Sequence, residues 1–158
     1  HMIGQIDRYH GFVKILLSLV YFITGVIPVN RDDEKSRKKA AGEAAKVLKE
    51  GDILVIYPEG TRTRTGEIQK GYPGVAKIFL RTGTPILPVG IKGVFELMPP
   101  GKGIPKIKRI VEINIGEPLY FKEELEMAKN LDCNSEEYKN LLQKITDKIM
   151  EEITNLIK

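Results

Sequence analysis

Residues 53–71 read Ile53-Leu-Val-Ile-Tyr57-Pro58-Glu59-Gly60-Thr61-Arg62-Thr-Arg64-Thr-Gly66-Glu-Ile-Gln-Lys70-Gly71. The first five residues are too few for a typical helix and are rich in β-branched side chains, so they predict a strand buried on both faces. Pro58 ends this strand, because proline has no N–H to donate to a ladder. The predicted fold is therefore an α/β domain with a largely parallel or mixed sheet flanked by helices.

The loop after the strand has the composition of a phosphate site. It presents Glu59, Gly60, Thr61 and Arg62 at the carboxyl end of the strand, where α/β proteins bind ligands. Its glycines allow backbone amides to approach an anion, and its cations, Arg62, Arg64 and Lys70, supply positive charge. Glu59 is unfavourable there unless it pairs with an arginine or accepts a hydrogen bond from a substrate hydroxyl. A solvated basic loop with a surface ion pair between Glu59 and Arg62 is the alternative.

Length and composition indicate one domain over residues 1–158, with 42% hydrophobic and 29% charged residues. The net charge of +4 fits anionic phosphates or an anionic membrane surface and is too small to indicate nucleic acid. Cys133 is the one cysteine, which excludes an internal disulfide framework and a thiolate metal cluster and indicates a cytoplasmic setting.

Two helices are predicted before the central strand. Residues 12–27 are the most apolar segment but fall short of the roughly 20 residues that a bilayer requires. This segment is predicted to be a helix, either buried in the core or lying on a membrane, where Tyr21, Phe22 and Lys14 would give it amphipathic tips. A second helix is expected over residues 34–50, after an Asp32-Asp33 cap and before Gly51.

The elements after the loop follow from the same rules. A helix is expected between Pro73 and Gly83, and residues 86–91 read as a second buried strand in an α/β unit with parallel pairing. Residues 93–108 form a predicted long loop exposing Phe95, Leu97 and Met98, a membrane-facing or acyl-gating segment or ordinary surface packing. Residues 109–115 predict a strand, and a long amphipathic helix is expected to begin with a capping box at Asn134 and Glu137.

Four blocks in order resemble the glycerophospholipid acyltransferases, the family of PlsC-type lysophosphatidic acid acyltransferases. Each block alone is a weak signal, whereas the four in family order are a strong one, and they cover roughly residues 12–118. The blocks are Ile27-Pro28-Val29-Asn30-Arg31, Tyr57-Pro58-Glu59-Gly60-Thr61-Arg62, Lys70-Gly71 and Ile86-Leu87-Pro88-Val89-Gly90-Ile91.

The resemblance implies a role for each matching residue. Arg31, Glu59, Gly60 and Arg62, with Thr61 in the same block, would line the pocket for a glycerol phosphate acceptor, and Lys70-Gly71 would add a further phosphate contact. Pro88 and Val89 would help to shape the side of the site that receives the acyl donor. No metal or resident cofactor is implied, and the donor substrate would be acyl-CoA or acyl-carrier protein.

The family's catalytic block, a histidine followed after four residues by an aspartate, has no match in this sequence. Ile15 stands at that spacing from His10, and five residues instead of four separate His1 from Asp7. His1 and Asp7 remain the candidates, although the extra residue would turn the aspartate away from the imidazole in a regular turn and a terminal residue is poorly held. His1-Met2 is also typical of residues left by cloning. We therefore expect the block to lie upstream of this sequence or in a segment missing from it, with the domain truncated at or near its N-terminus.

The function implied is transfer of an acyl group from a thioester to the free glycerol hydroxyl of lysophosphatidic acid, giving phosphatidic acid in phospholipid synthesis. The expected partners are a membrane lipid substrate, the acyl donor and the cytoplasmic face of a membrane, which the protein would visit peripherally. The alternative is a binding module that retains the lipid-phosphate or membrane-surface site without turnover.

Overall fold

The computed structural model describes residues 1–5, 25–30, 32–97 and 111–158. Backbone contacts divide the chain into two compact units, His1–Ile56 and Tyr57–Lys158, which are described separately below. Both units combine helices with short strands, which confirms the predicted α/β class. The single domain over residues 1–158 stays a prediction.

The first unit contains a parallel pair of strands covered by a helix. Strand β1, Met2–Gln5, pairs with β2, Val26–Val29, with Met2 opposite Val26. Helix α1, Glu34–Lys49, contacts β2 and buries small side chains, Ala40, Ala44 and Ala45, at helical spacing. Its N-cap is Asp33, whose carboxylate accepts the Lys35 N–H at 3.0 Å, so the predicted helix and its aspartate cap are confirmed.

The segment over residues 53–57 differs from the predicted doubly buried strand. Val55 forms one parallel bridge with Met2, and its N–H donates to the His1 carbonyl at 2.7 Å. The exposed fractions of Ile53, Val55 and Tyr57 are 79%, 47% and 59%, whereas Leu54 and Ile56 between them are half-buried. The segment is therefore extended with alternate side chains exposed, a pattern that a run of apolar residues does not reveal because every position looks equally apolar.

The second unit is built on two helices. Helix α2, Gly74–Thr82, ends at Gly83 in the left-handed conformation with φ of 69°, as predicted. The long helix α5, Glu136–Leu156, packs on α2, and the fully buried side chains of Phe79 and Ile145 lie in the same core cluster. Burying a side chain of that size stabilises the fold by about 1.5 to 3 kcal/mol.

The strands of the second unit are antiparallel. Strand β3, Val89–Lys92, is followed by a short helix α3, Val94–Leu97, and pairs with β4, Glu112–Ile115, with Val89 opposite Ile115. The parallel pairing predicted for residues 86–91 is therefore wrong for the partner that the structure describes. The predicted burial is also wrong for one face, because Leu87, Val89 and Ile91 are exposed while Pro88 and Gly90 are buried.

Several element boundaries also differ from the predictions. Val26 and Ile27, expected at the end of a helix, lie in β2, and residues 12–24 of that predicted helix are outside the described residues. The N-cap of α5 is Ser135 instead of Asn134, since the Ser135 hydroxyl accepts the Tyr138 N–H at 3.1 Å. Helix α4, Lys122–Lys129, was not predicted. In the part of the chain that the structure describes, no helix has both the length and the hydropathy to cross a membrane.

An ion pair joins α4 to α5. The Lys144 ammonium donates to the Glu124 carboxylate at 3.0 Å, and this hydrogen bond lowers the pKa of Glu124, whose side chain is only 14% exposed. A carboxylate with a lowered pKa stabilises the fold above its unfolded pKa, and that contribution is lost as the pH falls through the folded pKa.

We expect Glu124→Gln to lower the free energy of unfolding by about 1 kcal/mol at pH 7, because the ion pair is partly buried. The loss should shrink between about pH 5 and about pH 2, where the wild-type carboxylate becomes protonated. Urea unfolding across that range measures it, with Glu123→Gln as the control in the same helical turn. An equal loss for Glu124→Gln at both ends of the range would contradict the ion-pair explanation.

Candidate acceptor site

The predicted phosphate loop closes on itself between residues 58 and 72, and these residues are called the acceptor loop below. The Tyr72 N–H donates to the Pro58 carbonyl at 2.8 Å, so the two ends of the loop are held together. The loop begins with a tight turn in which the Gly60 N–H donates to the Tyr57 carbonyl at 2.9 Å. Gly60 has φ of 66°, a left-handed conformation that glycine adopts without steric cost.

The side chain of Glu59 forms a second link between the two ends of the loop. One oxygen of its carboxylate, Oε2, accepts the Gln69 N–H at 2.6 Å. This contact gives the carboxylate a partner within the loop, which neither of the roles considered from sequence includes. Among the described residues Glu59 forms no ion pair with Arg62. The surface ion pair between these two residues, which is the alternative interpretation of the sequence, is therefore not formed.

The tip of the loop is shaped by threonine hydroxyls and one aromatic ring. Thr63 Oγ1 accepts the N–H groups of Thr65 and Gly66 at 3.3 and 3.0 Å. Gly66 has φ of 91° and lies against Phe95 of α3, whose ring atom Cδ1 would be 3.2 Å from an added Cβ. Phe95 is therefore half-buried against the loop instead of exposed on a long loop, which corrects the sequence-based expectation for that side chain.

The cations of the acceptor loop remain available to a ligand. Arg62, Arg64 and Lys70 are exposed, and within residues 57–97 and 111–158 none of them forms an ion pair. The loop carries these cations together with two carboxylates, Glu59 and Glu67, of which Glu59 is already hydrogen-bonded to the backbone. A phosphate that meets this loop therefore encounters guanidinium groups able to donate two hydrogen bonds each.

The other predicted site residues are distributed over the chain. Thr61 is exposed beside Arg62, whereas Gly71, predicted as a substrate contact, is buried. Pro88, expected on the acyl side, is also buried and its carbonyl accepts the Gly116 N–H at 3.0 Å, while Val89 is exposed in β3. Arg31 lies outside the described residues. The binding roles assigned to all of these residues stay predictions.

His1 has a carboxylate neighbour other than the one considered from sequence. Its Nε2 lies 3.6 Å from Oδ2 of Asp52, and its Nδ1 lies 2.9 Å from the Gly25 carbonyl oxygen. Its amino group donates to the Ile53 carbonyl at 2.7 Å, so the first residue is held along the 53–55 segment. Asp7 and His10 lie outside the described residues, and the pairing of His1 with Asp7 stays a prediction.

Sequence reasoning did not find two residues that shape the acceptor loop. Gln69 contributes its backbone N–H, and a backbone donor leaves no signal in the identity of its residue. Phe95 lies well after the loop in sequence, and an isolated aromatic residue near glycines and prolines looks like surface packing. Both contacts depend on how the chain returns to the loop, which local patterns do not show.

A family model described as Acyltransferase matches residues 3–92. This match covers more than half of the chain and includes the whole acceptor loop. The chain belongs to the acyltransferase family. The family resemblance of the four sequence blocks is thereby confirmed.

Curated relatives and a solved structure agree with this assignment. The chain is 42% identical over 81 residues to the 1-acyl-sn-glycerol-3-phosphate acyltransferase of Borreliella burgdorferi, covering 51% of this chain and 32% of that protein. It is 28% identical over 109 residues to the chloroplastic 1-acyl-sn-glycerol-3-phosphate acyltransferase BAT2 of Brassica napus, covering 69% of this chain and 32% of that protein. The chain therefore spans about a third of the length of these relatives.

The fold is similar to the crystal structure of the 1-acyl-sn-glycerophosphate (LPA) acyltransferase PlsC from Thermotoga maritima, with a TM-score of 0.54. The similarity covers 97% of this acyltransferase chain and 56% of the Thermotoga maritima chain, at 25% sequence identity. The mixed helix and strand architecture of the described residues is thus similar to that of the Thermotoga maritima structure.

Glu59→Ala should open the acceptor loop, because it removes the oxygen that accepts the Gln69 N–H. We expect exchange of the Gln69 amide hydrogen to accelerate by roughly 10-fold, the effect of losing about 1.4 kcal/mol of protection. Glu59→Gln keeps an acceptor oxygen and should retain most of the protection. Amide exchange followed by NMR measures both variants.

The matched control is Glu67→Ala, which removes an exposed carboxylate from the same loop and the same unit of charge. Gln69 exchange that rises equally in Glu59→Ala and Glu67→Ala would mean that charge, and not the Glu59 hydrogen bond, governs the loop.

Proposed function

We propose that this chain forms the acceptor-binding part of an enzyme that acylates the free glycerol hydroxyl of lysophosphatidic acid to give phosphatidic acid. The observation that carries the proposal is the acceptor loop, closed at its base, with its three cations exposed and without ion pairs among the described residues. The names of the curated relatives, all 1-acyl-sn-glycerol-3-phosphate acyltransferases, support the acceptor class.

Arg62 and Lys70 would act by positioning the acceptor. A phosphate monoester carries nearly two negative charges at neutral pH, and the planar guanidinium of Arg62 can hold two of its oxygens at once. Holding the phosphate fixes the glycerol hydroxyl relative to the rest of the site, and such positioning can supply a large share of a rate enhancement. Arg31 would be a further phosphate ligand by family resemblance.

The chemistry would be direct transfer of the acyl group. A histidine oriented by its aspartate would remove the proton from the glycerol hydroxyl, and the oxygen would attack the thioester carbonyl. The C–S bond would then break, and the leaving thiolate would take up the proton from the histidine as the ester forms. The donor would be acyl-CoA or acyl-carrier protein, with Pro88 and Val89 near the acyl side and no other cofactor. The His-x4-Asp spacing does not occur in this sequence, so we propose that a preceding block supplies the base.

The alternative is a lipid-phosphate or membrane-surface binding module without turnover. The observation that favours it is the same missing His-x4-Asp spacing. The two functions differ in one measurable property, since both predict phosphate binding but only the enzyme predicts acyl transfer once a His-x4-Asp block precedes the chain.

Arg62→Ala should weaken binding of sn-glycerol 3-phosphate by roughly 10-fold to 100-fold, because a charge-assisted hydrogen bond contributes about 1.5 to 3 kcal/mol. Isothermal titration of this chain measures the affinity, with glycerol as the uncharged ligand. The matched control is Arg81→Ala, which removes an exposed arginine from the last turn of α2, outside the loop. Equal losses in the two variants would refute a specific phosphate contact at Arg62.

Acyl transfer should depend on the preceding block. A longer form carrying His-x4-Asp is expected to transfer acyl groups roughly 100-fold to 10,000-fold faster than this chain, the contribution of a general base. The assay follows phosphatidic acid formed from lysophosphatidic acid with each of the two donors. Equal rates for both forms would contradict the proposed base, and no transfer by either form, with phosphate binding intact, would favour the binding module.

We also propose peripheral contact with a membrane surface, through residues 12–27 and the predicted loop that includes Met98. Most of the first segment, and Met98, lie outside the described residues, and Phe95 of that loop packs on Gly66. Flotation with anionic vesicles tests the proposal with Leu17→Asp and Phe22→Asp, which should reduce binding while circular dichroism stays unchanged. Loss of folding in both variants would instead assign the segment to the core, and unchanged flotation would refute the membrane role.

A further inference from the structure

Helix α5 contacts both of the family blocks that flank α2. The helix lies after residues 3–92, which the family model matches, yet Gly71 at the end of the acceptor loop and Gly90 in β3 both lie against it. Neither glycine has a positive φ, so backbone conformation alone would accept alanine at both positions. What requires glycine at positions 71 and 90 is therefore their contact with α5.

Gly71 has no room for a side chain. An added Cβ would lie 2.7 Å from Cγ of Met150 and 2.9 Å from Cγ2 of Thr146, closer than real Cβ contacts. Thr146 cannot rotate away freely, since its side chain is 1% exposed and its hydroxyl donates to the Leu142 carbonyl at 2.7 Å. The missing side chain lets the acceptor loop end directly on the surface of α5.

Gly90 makes the same kind of contact with the end of α5. A Cβ there would lie 2.8 Å from Cβ of Leu156 and 2.5 Å from Cγ2 of Ile157. Strand β4 also holds this end of the helix by a hydrogen bond, in which Nδ2 of Asn114 donates to the Leu156 carbonyl at 2.9 Å. The terminal turn of α5 is therefore fixed to the sheet formed by β3 and β4.

We propose that α5 sets the separation between the acceptor loop and strand β3, and that Gly71 and Gly90 are positioning residues in this arrangement. On α5, Thr146 and Met150 lie ten and six residues before Leu156, which corresponds to about 15 and about 9 Å along the helix axis. The functional part of this inference rests on the proposed function, since it makes α5 the element that holds the phosphate-binding residues relative to the acyl side. Gly71 then acts through the loop and need not touch the substrate itself.

Gly71→Ala should loosen the acceptor loop without unfolding α5. We expect amide exchange within residues 59–72 to accelerate by roughly 10-fold, because overpacking forces the loop away from the helix. Exchange in the buried centre of α5, around Ile145, should stay at the wild-type rate. The matched control is Gly74→Ala, since an added Cβ at Gly74 meets nothing within 4 Å and the loop should keep its wild-type exchange. Hydrogen exchange read by mass spectrometry on this chain measures all variants.

A compensating pair of changes on α5 makes the test specific. Thr146→Ser with Met150→Ala removes the atoms that an alanine at position 71 would meet, while a serine hydroxyl can still donate to Leu142. The pair alone should accelerate loop exchange by leaving a gap, and combining it with Gly71→Ala should return exchange toward the wild-type rate. If Gly71→Ala alone does not fold, comparison of the pair with the triple variant gives the same answer.

Two results would overturn the inference: loop exchange in Gly71→Ala equal to that in Gly74→Ala, or effects of the pair and Gly71→Ala that simply add. Titration with sn-glycerol 3-phosphate separates the inference from the proposed function. Affinity should fall roughly 10-fold in Gly71→Ala and recover in the triple variant, because a loosened loop presents its cations less well. If the wild-type chain does not bind this probe, the proposed function fails, while the exchange data still decide whether α5 positions the loop.

Discussion

The packing of α2 against α5 is the constraint on which the second unit depends. Ala76 and Phe79 of α2 are buried in one cluster with Ile145 and Ile149 of α5, and the ring of Phe121 meets Phe79 edge to face at 5.6 Å between centroids. Because α2 begins directly after the acceptor loop, this core also determines where the loop ends. The large buried side chains fix the distance between α2 and α5. Only a small residue then fits at the edge of this contact, and Gly71 lies at such an edge.

The acceptor loop separates the groups that shape it from the groups that can bind a ligand. Its shape is set by the Pro58 carbonyl, the Glu59 carboxylate and the Thr63 hydroxyl, each of which accepts a backbone N–H of the same loop. Its arginines and Lys70 take no part in these hydrogen bonds and are exposed. A carboxylate in a cationic loop is then compatible with phosphate binding, because Glu59 is held by a backbone donor inside the loop and leaves the guanidinium groups to an anion.

Helices α1, α2 and α5 agree with the sequence-based predictions more closely than most of the strands do, for a physical reason. Three features that define these helices are local: the N-cap at Asp33, the left-handed Gly83 and the apolar stripe of α5. Each depends on residues close together in the sequence, so the sequence predicts it. Whether Ile53 or Ile91 is buried depends on what covers each face of the strand, which is a property of distant parts of the chain. For this reason the sequence correctly predicts that residues 53–57 and 86–91 are extended, whereas the burial predicted for both segments and the pairing predicted for residues 86–91 are wrong.

The family follows from the resemblance of four sequence blocks in order, and the position of the acceptor loop and its phosphate-compatible residue types follow from composition and spacing along one short segment. What those residues contact depends on tertiary packing. Glu59 accepts a hydrogen bond from Gln69, Phe95 returns to cover Gly66, and Gly71 lies on Thr146 and Met150 of a helix far along the chain. A glycine looks the same in sequence whether it allows a left-handed turn or the close approach of a helix, and only the packing of distant segments distinguishes the two.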